Sequence, residues 1–151
     1  TMAIGRLEED SEGLHLLTTD GMMSELVRSK KVEKEYYAQV DGLITEEAIE
    51  KLKNRVEIGF NGKKYLTKNC NAFILETIPN LGERVKKIRD ERHGPTSWLS
   101  ITLTEGKFRQ VRKMTSAVGF PTLRLVRVRI GNIHLNNLEA GEVLEVRSFD
   151  V

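Results

Sequence analysis

Residues 95–125, PTSWLSITLTEGKFRQVRKMTSAVGFPTLRL, hold the clearest local patterns of the chain. The segment from Ser97 to Thr104 alternates apolar and polar side chains, which predicts a strand with one apolar face. After Glu105-Gly106, a basic segment from Lys107 to about Val118 has helical spacing, and Gly119 with a proline two residues later marks its end. The stretch therefore predicts a strand, a turn and a helix in direct succession.

The segments on either side of this stretch also alternate between strand and helix patterns. Before it, the patterns predict a buried strand at 13–19, a helix at 21–29, a strand at 36–40 and a helix at 45–53. Residues 55–78 alternate around Asn61-Gly62 and predict a hairpin, and residues 79–96 predict an exposed loop. Further strands follow, with breaks at Gly131-Asn132 and Ala140-Gly141.

The order of these elements indicates one α+β domain over residues 1–151. The chain has no internal repeat, low-complexity tract or linker. A chain of this length buries about 69% of the surface that it exposes when unfolded, which is enough for a hydrophobic core without disulfides or structural metal ions. We expect a mixed, mainly antiparallel sheet flanked by helices.

Several classes of protein are disfavoured by composition. A single cysteine, Cys70, excludes an intrachain disulfide and a multi-cysteine zinc site. His15, His93 and His134 lack ligand spacing, and no phosphate-binding or dinucleotide-binding glycine motif occurs. No stretch approaches the ~18 apolar residues of a membrane span, and the first ten residues lack a signal pattern. We expect a soluble, intracellular protein, and these absences disfavour a metal-dependent or cofactor-dependent function.

The charge of the chain is unevenly distributed. The total of 24 Lys and Arg against 22 Asp and Glu leaves +2, but residues 81–129 hold 12 basic and 4 acidic side chains. Basic side chains concentrated in this way are typical of a polyphosphate partner such as nucleic acid. The alternative is a solvated basic face that binds nothing.

Two charged segments are candidates for a shared site. Residues 5–13, GRLEEDSEG, are dense in carboxylates directly before the first predicted strand. On the predicted helix, Arg109, Arg112 and Lys113 fall at offsets that place them on one face. Such cations repel one another unless an anion lies opposite, so the two segments could form ion pairs. The alternative is that both are solvated.

Three segments resemble a known enzyme family. GRLEEDSEGLHLLTTDG (5–21), KEYYAQV (34–40) and the stretch 95–125 are similar to the three motif blocks of the RsuA/RluE-type RNA pseudouridine synthases. Within that family they are most similar to members that act on large-subunit ribosomal RNA. The blocks occur in the family's order and spacing, and the resemblance extends from residue 5 to about residue 145. It implies that family's catalytic fold and the isomerisation of one uridine to pseudouridine, without metal or cofactor.

The resemblance also implies roles for individual residues. Glu8 occupies the position of the family's catalytic aspartate, which acts as a nucleophile or base. Tyr36 takes the place of the tyrosine that stacks against the uracil, and Arg112 that of the basic residue that holds the carboxylate ionised. Arg6 and Asp10 are expected to support Glu8. Glutamate is one methylene longer than aspartate, which predicts a reduced activity.

The implied partner is ribosomal RNA of the large, 23S-type subunit, bound by a monomer. Lys107, Arg109 and Lys113 are the candidate RNA-binding residues. A second interpretation is an RNA-binding protein of ribosome assembly whose catalysis is impaired by Glu8. Catalytic domains of this family carry strands before the first motif, and some relatives carry an N-terminal RNA-binding module. We expect both to be missing from this chain.

Overall fold

The computed structural model describes residues 2–3, 7–18, 32–82, 93–107 and 109–135. Its ten strands are β1 (Met2–Ala3), β2 (Glu12–Gly13), β3 (Leu17–Thr18), β4 (Lys34–Asp41), β5 (Glu57–Phe60), β6 (Lys63–Leu66), β7 (Asn71–Leu75), β8 (Thr96–Leu103), β9 (Thr122–Ile130) and β10 (Ile133–His134). The two helices of these described residues are α1 (Glu46–Lys53) and α2 (Gln110–Ala117). The predicted helix at 21–29 and the break at Ala140-Gly141 lie outside the described residues.

Within the described residues, the main sheet has six strands. Five follow the order β10-β9-β4-β8-β7 with antiparallel neighbours, and β2 adds to β9 in parallel. The α+β class with a mixed, mainly antiparallel sheet is therefore confirmed. Strands β1 and β3 form a separate antiparallel pair. That residues 1–151 form one domain stays a prediction.

Strand β8 occupies the interior of the sheet, between β4 and β7. Leu99, Ile101 and Leu103 are buried in the main hydrophobic cluster, as the alternation predicts. Ser100 and Thr102 on the opposite face are buried too, so the second face of the strand is also covered, which the alternation does not predict. The hydroxyl of Ser100 donates to Glu35 Oε2 at 2.6 Å, which satisfies this buried polar group.

Helix α1 forms where the sequence predicts it. The side chain of Thr45 caps the helix, because its Oγ1 accepts a hydrogen bond from the Ala48 amide at 3.2 Å. Ala48, Ile49 and Leu52 lie on one face and are buried in the main cluster. The helix thereby covers part of the sheet.

Helix α2 begins three residues later than predicted. In the turn before the helix, the Lys107 amide donates to Gln110 Oε1 at 3.1 Å, and Arg109 has left-handed backbone angles of φ 53° and ψ 35°. Val111 and Met114 then enter the core. Arg109 of this turn and Arg112 of α2 both reach residues 8–11.

The hairpin is shorter than predicted. Asn61 and Gly62 both have positive φ, of 51° and 74°, as a two-residue type I′ turn requires, and they connect β5 to β6. At its base, Thr67 Oγ1 accepts from the Val56 amide at 2.8 Å and closes the ladder. Residues 71–75 leave the hairpin and pair with β8, because that pairing places Ala72 in the main core.

The predicted strand at 13–19 is divided into β2 and β3, with Leu14 and Leu16 buried beside them. Gly13 adopts φ 110°, and a Cβ there would overlap the Arg127 carbonyl oxygen and lie 2.6 Å from the Arg127 nitrogen. Only glycine permits this approach of the two backbones. The contact fixes β2 against β9. No helix in the described part of the chain combines the length and apolarity needed to cross a bilayer.

Candidate active site

The two charged segments meet in the folded chain. Glu8 Oε2 accepts a hydrogen bond from Arg112 Nε at 2.8 Å and lies 3.2 Å from Arg109 Nη1. Ser11 Oγ donates to the same oxygen at 3.2 Å, and Arg112 Nη2 donates to the Asp10 carbonyl at 3.1 Å. The side chains of Glu8 and Arg112 are 21% and 13% exposed. The two side chains therefore form a partly buried ion pair that fixes the position of the Glu8 carboxylate.

Asp10 forms the second ion pair of this group. Arg109 Nη1 and Nη2 donate to Asp10 Oδ1 and Oδ2 at 3.1 and 3.0 Å, which is a two-point guanidinium–carboxylate contact. These hydrogen bonds from Arg109, with the charge of Arg112 nearby, lower the pKa of Asp10 to about 2. Asp10 therefore holds Arg109 in the left-handed turn that precedes α2.

A cavity of about 220 Å³ opens beside Glu8. Tyr36 of β4, with Leu103 of β8 and Leu125 of β9, contributes to its walls, and Lys107 and Arg109 line it from the turn before α2. Drug-sized ligands occupy pockets of roughly 300–1,000 Å³, so this cavity is of a size for a smaller group. Glu8 and Tyr36, which lie 28 residues apart in the printed sequence, thus line one cavity.

Sequence reasoning missed one carboxylate of this cavity, Glu105. It is 5% exposed and accepts hydrogen bonds from Tyr65 Oη, from the Lys68 amide at 2.7 Å and from Gln110 Nε2 at 2.9 Å. Burial alone would raise the pKa of Glu105, but these hydrogen bonds outweigh burial and lower it. The available signal was that Glu105 is the single acidic residue of the stretch 95–125.

The structure describes three of the four remaining predicted site residues, Lys107, Arg109 and Lys113. Lys107 lines the cavity, whereas Lys113 lies on α2 beside the β5–β6 hairpin. Arg109 binds Asp10 and is 36% exposed. Arg6 lies outside the described residues. The RNA-binding roles of Lys107, Arg109 and Lys113 stay predictions.

Part of the basic charge of residues 81–129 is bound within the fold. Arg124 makes a two-point contact with Glu12, at 3.0 and 2.9 Å. Arg129 Nε donates to Glu35 at 3.0 Å. With the pairs of Arg109 and Arg112, four of these cations bind carboxylates from residues 8–35. The excess of positive charge counted along the sequence therefore overstates the charge available to an anion.

No cluster of His, Cys, Asp and Glu among the described residues could hold a metal ion. Cys70 donates to the Leu52 carbonyl at 3.3 Å, and burial raises the pKa of its thiol to about 11. A thiol with that pKa is a poor nucleophile near neutral pH. The groups lining this cavity that can act chemically include the carboxylates of Glu8 and Glu105, the cations of Lys107 and Arg109, and Tyr36.

Comparison with known proteins finds a matching family and several similar proteins. A family profile described as RNA pseudouridylate synthase matches residues 1–117. The chain is 43% identical over 147 residues to ribosomal large subunit pseudouridine synthase E of Vibrio parahaemolyticus, covering 96% of this chain and 60% of that protein. It is 41% identical over 138 residues to the protein of the same name from Xanthomonas axonopodis pv. citri, covering 90% and 70%.

Solved structures agree with this comparison. A crystal structure of a pseudouridylate synthase aligns with a TM-score of 0.66 and 27% identity, over 89% of this chain and 50% of that one. A Cbf5-Nop10-Gar1 complex aligns with a TM-score of 0.54 at 16% identity, a likeness of fold alone. The chain spans about 60% of the length of the Vibrio relative.

Proposed function

The chain belongs to the RNA pseudouridylate synthase family, and from this premise we propose that it isomerises one uridine of large-subunit ribosomal RNA to pseudouridine. The names of the relatives support this substrate class, since the two described above are ribosomal large subunit pseudouridine synthases. In the reaction the bond from uracil N1 to ribose C1′ breaks and a bond from C5 to C1′ forms. The hydrogen on C5 is lost and N1 gains one, so no redox cofactor is needed.

The observation that carries the proposal is the paired carboxylate of Glu8 at the cavity lined by Tyr36. A carboxylate can add to an electrophilic carbon of the nucleotide, or remove a sugar proton, and then leave again. Arg112 Nε lies 2.8 Å from Glu8 Oε2 and orients the carboxylate. We assign to Glu8 the role of nucleophile or base on this basis.

Tyr36 is the proposed stacking partner of the target base. A uridine must leave its stack in the RNA to enter a cavity of this kind, and an aromatic ring replaces part of the stacking that is lost. Leu103 and Leu125 add apolar walls to the same cavity. Asp10 supports the site indirectly, because it holds Arg109 against the Glu8 carboxylate.

We propose that the RNA backbone contacts Lys107, Arg109 and Lys113. Arg109 uses two of its nitrogens for Asp10, so its contact with RNA is made through the exposed part of the guanidinium. The finer assignments are a 23S-type RNA partner, a monomeric state and a cytoplasmic location. They rest on the resemblance and on the relatives' names.

Release of tritium from RNA labelled at uracil C5 tests the proposal. A transcript of large-subunit ribosomal RNA made with [5-³H]uridine is expected to lose label on incubation with the protein. Glu8→Gln removes the carboxylate charge and is the matched control, for which no release is expected. Binding of the same transcript without release of label would refute the enzyme and support an RNA-binding protein of ribosome assembly.

A further inference from the structure

The β5–β6 hairpin supplies two aromatic rings that the proposed reaction does not use. Lys107 Nζ lies 5.0 Å from the centroid of the Tyr65 ring and 5.6 Å from that of Phe60. Lys113 Nζ lies 5.6 Å from the same Phe60 ring and donates to the Gly59 carbonyl at 2.8 Å. An ammonium group over a ring face is attracted by the quadrupole of the ring. The rings therefore hold two flexible side chains in defined positions.

These four residues, Phe60, Tyr65, Lys107 and Lys113, are called the lysine rim. Both ammonium groups lie 5.6 Å from one centroid, so they are no further apart than twice that distance. Among the described residues, no carboxylate lies within ion-pairing distance of Lys107. Two like charges held close together repel each other, and an anion that bridges them removes the repulsion.

The hairpin that carries the rings is anchored to the site. Tyr65 Oη and the Lys68 amide both donate to Glu105, and Gln110 of α2 donates to the same carboxylate. Because Glu105 and Lys107 also line the cavity beside Glu8, the lysine rim borders the place proposed for the uridine. A receptor fixed before binding loses less entropy on binding than a flexible one.

We propose that the lysine rim binds backbone phosphates of the RNA strand next to the target uridine, with the β5–β6 hairpin acting as the support that positions both lysines. This inference rests on the proposed function, because the ligand is the RNA that carries the uridine. Phe60 and Tyr65 are positioning residues in this proposal: they act on the phosphates through the two ammonium groups.

Binding of a short fluorescein-labelled oligouridylate, followed by anisotropy at several KCl concentrations, tests the proposal. Phe60→Leu keeps an apolar side chain but removes the ring, and should weaken binding about two- to five-fold, the range expected for exposed cation–π contacts. Lys107→Ala and Lys113→Ala should each reduce the slope of log affinity against log salt by about 0.7. Lys51→Ala, an exposed lysine of α1 paired with Glu47, makes the same charge change and should alter neither quantity.

A second comparison separates positioning from direct stacking. In the double variant Lys107→Ala/Lys113→Ala, adding Phe60→Leu should cause no further loss of affinity, because the ring then has no ammonium to position. A further loss would show that Phe60 stacks on a base and would overturn the proposal. Unchanged affinity of the single Phe60→Leu variant, with a melting curve that shows it folded, would overturn it as well.

The two experiments can refute the isomerase activity and the role of the lysine rim separately. If the parent protein releases no tritium while Phe60→Leu and the lysine variants weaken binding as expected, the rim is supported and the isomerase is refuted. If tritium is released and none of these variants changes the affinity or its salt slope, the rim is refuted and the isomerase stands.

Discussion

Replacing Arg112 with alanine is expected to lower both stability and activity, because the substitution removes the nearest cation of Glu8. Breaking a buried ion pair by removing one partner costs about 3–5 kcal/mol, and exposed pairs contribute about 0–1 kcal/mol. This pair is intermediate, with side chains 13% and 21% exposed. Glu8 also keeps Arg109 at 3.2 Å and the Ser11 hydroxyl. We therefore expect a loss of about 1–3 kcal/mol in the free energy of unfolding.

Urea unfolding of the parent and of Arg112→Ala measures this loss. For a chain of about 150 residues, each 1 kcal/mol lowers the melting temperature by about 2–4 °C, so thermal unfolding gives an independent value. Lys113→Ala, one residue further along α2, is the matched control for stability, since it removes a cation that lies over Phe60 and donates to the Gly59 carbonyl while leaving the Glu8–Arg112 pair in place. Equal midpoints for Arg112→Ala and the parent would refute the reasoning. So would a coupling energy near zero in a double-mutant cycle between Glu8→Ala and Arg112→Ala.

Three further predictions concern the same segment. Glu8→Asp should raise the single-turnover rate of pseudouridine formation at nearly constant RNA affinity, because it shortens the carboxylate without changing its charge; an unchanged rate would contradict this. The lowered pKa of Asp10 means that its ion pair stabilises the fold above the unfolded value of 3.8, a contribution lost as the pH falls through about 2. Urea unfolding of Asp10→Asn should accordingly show a weaker pH dependence in that window than the parent. Gly13→Ala should destabilise the fold by at least about 2 kcal/mol, and Gly62→Ala, also at positive φ but in open space, by about 1 kcal/mol, both measured by urea unfolding.

Local patterns predicted the elements whose causes are local. The side chain of Thr45 caps α1, and the Asn61-Gly62 pair forms the hairpin turn, so both could be identified from a few neighbouring residues. The features that local patterns did not predict depend on residues that are distant in the sequence. Residues 71–75 join β8 and leave the hairpin, and Ser100 is buried because its strand lies inside the sheet. No window of neighbouring residues contains that information.

The site shows the same division. The match of residue types to the family motifs, together with the possible pairing of the two charged segments, predicted that Glu8 and Arg112 would meet, and the structure places them 2.8 Å apart. The role of Glu105 could not be predicted, since its partners Tyr65 and Lys68 come from a hairpin about 40 residues earlier in the chain. The count of charges along the sequence also overestimated the positive charge available to an anion, because Arg124 and Arg129 bind carboxylates that are remote in sequence.

The parallel pairing of β2 with β9 has a consequence for the order in which parts of the fold form during synthesis. Leu14 and Arg127, which bond to each other beside that pairing, are 113 residues apart, and Glu8 and Arg112 are 104 apart. Contacts of such high sequence separation close late, after local hairpins and helices have formed. On the ribosome, β2 emerges before β9 and has no partner strand until β9 has been synthesised. We expect the cavity to be assembled among the last parts of the fold, so a nascent chain gains its site only when its sheet is complete.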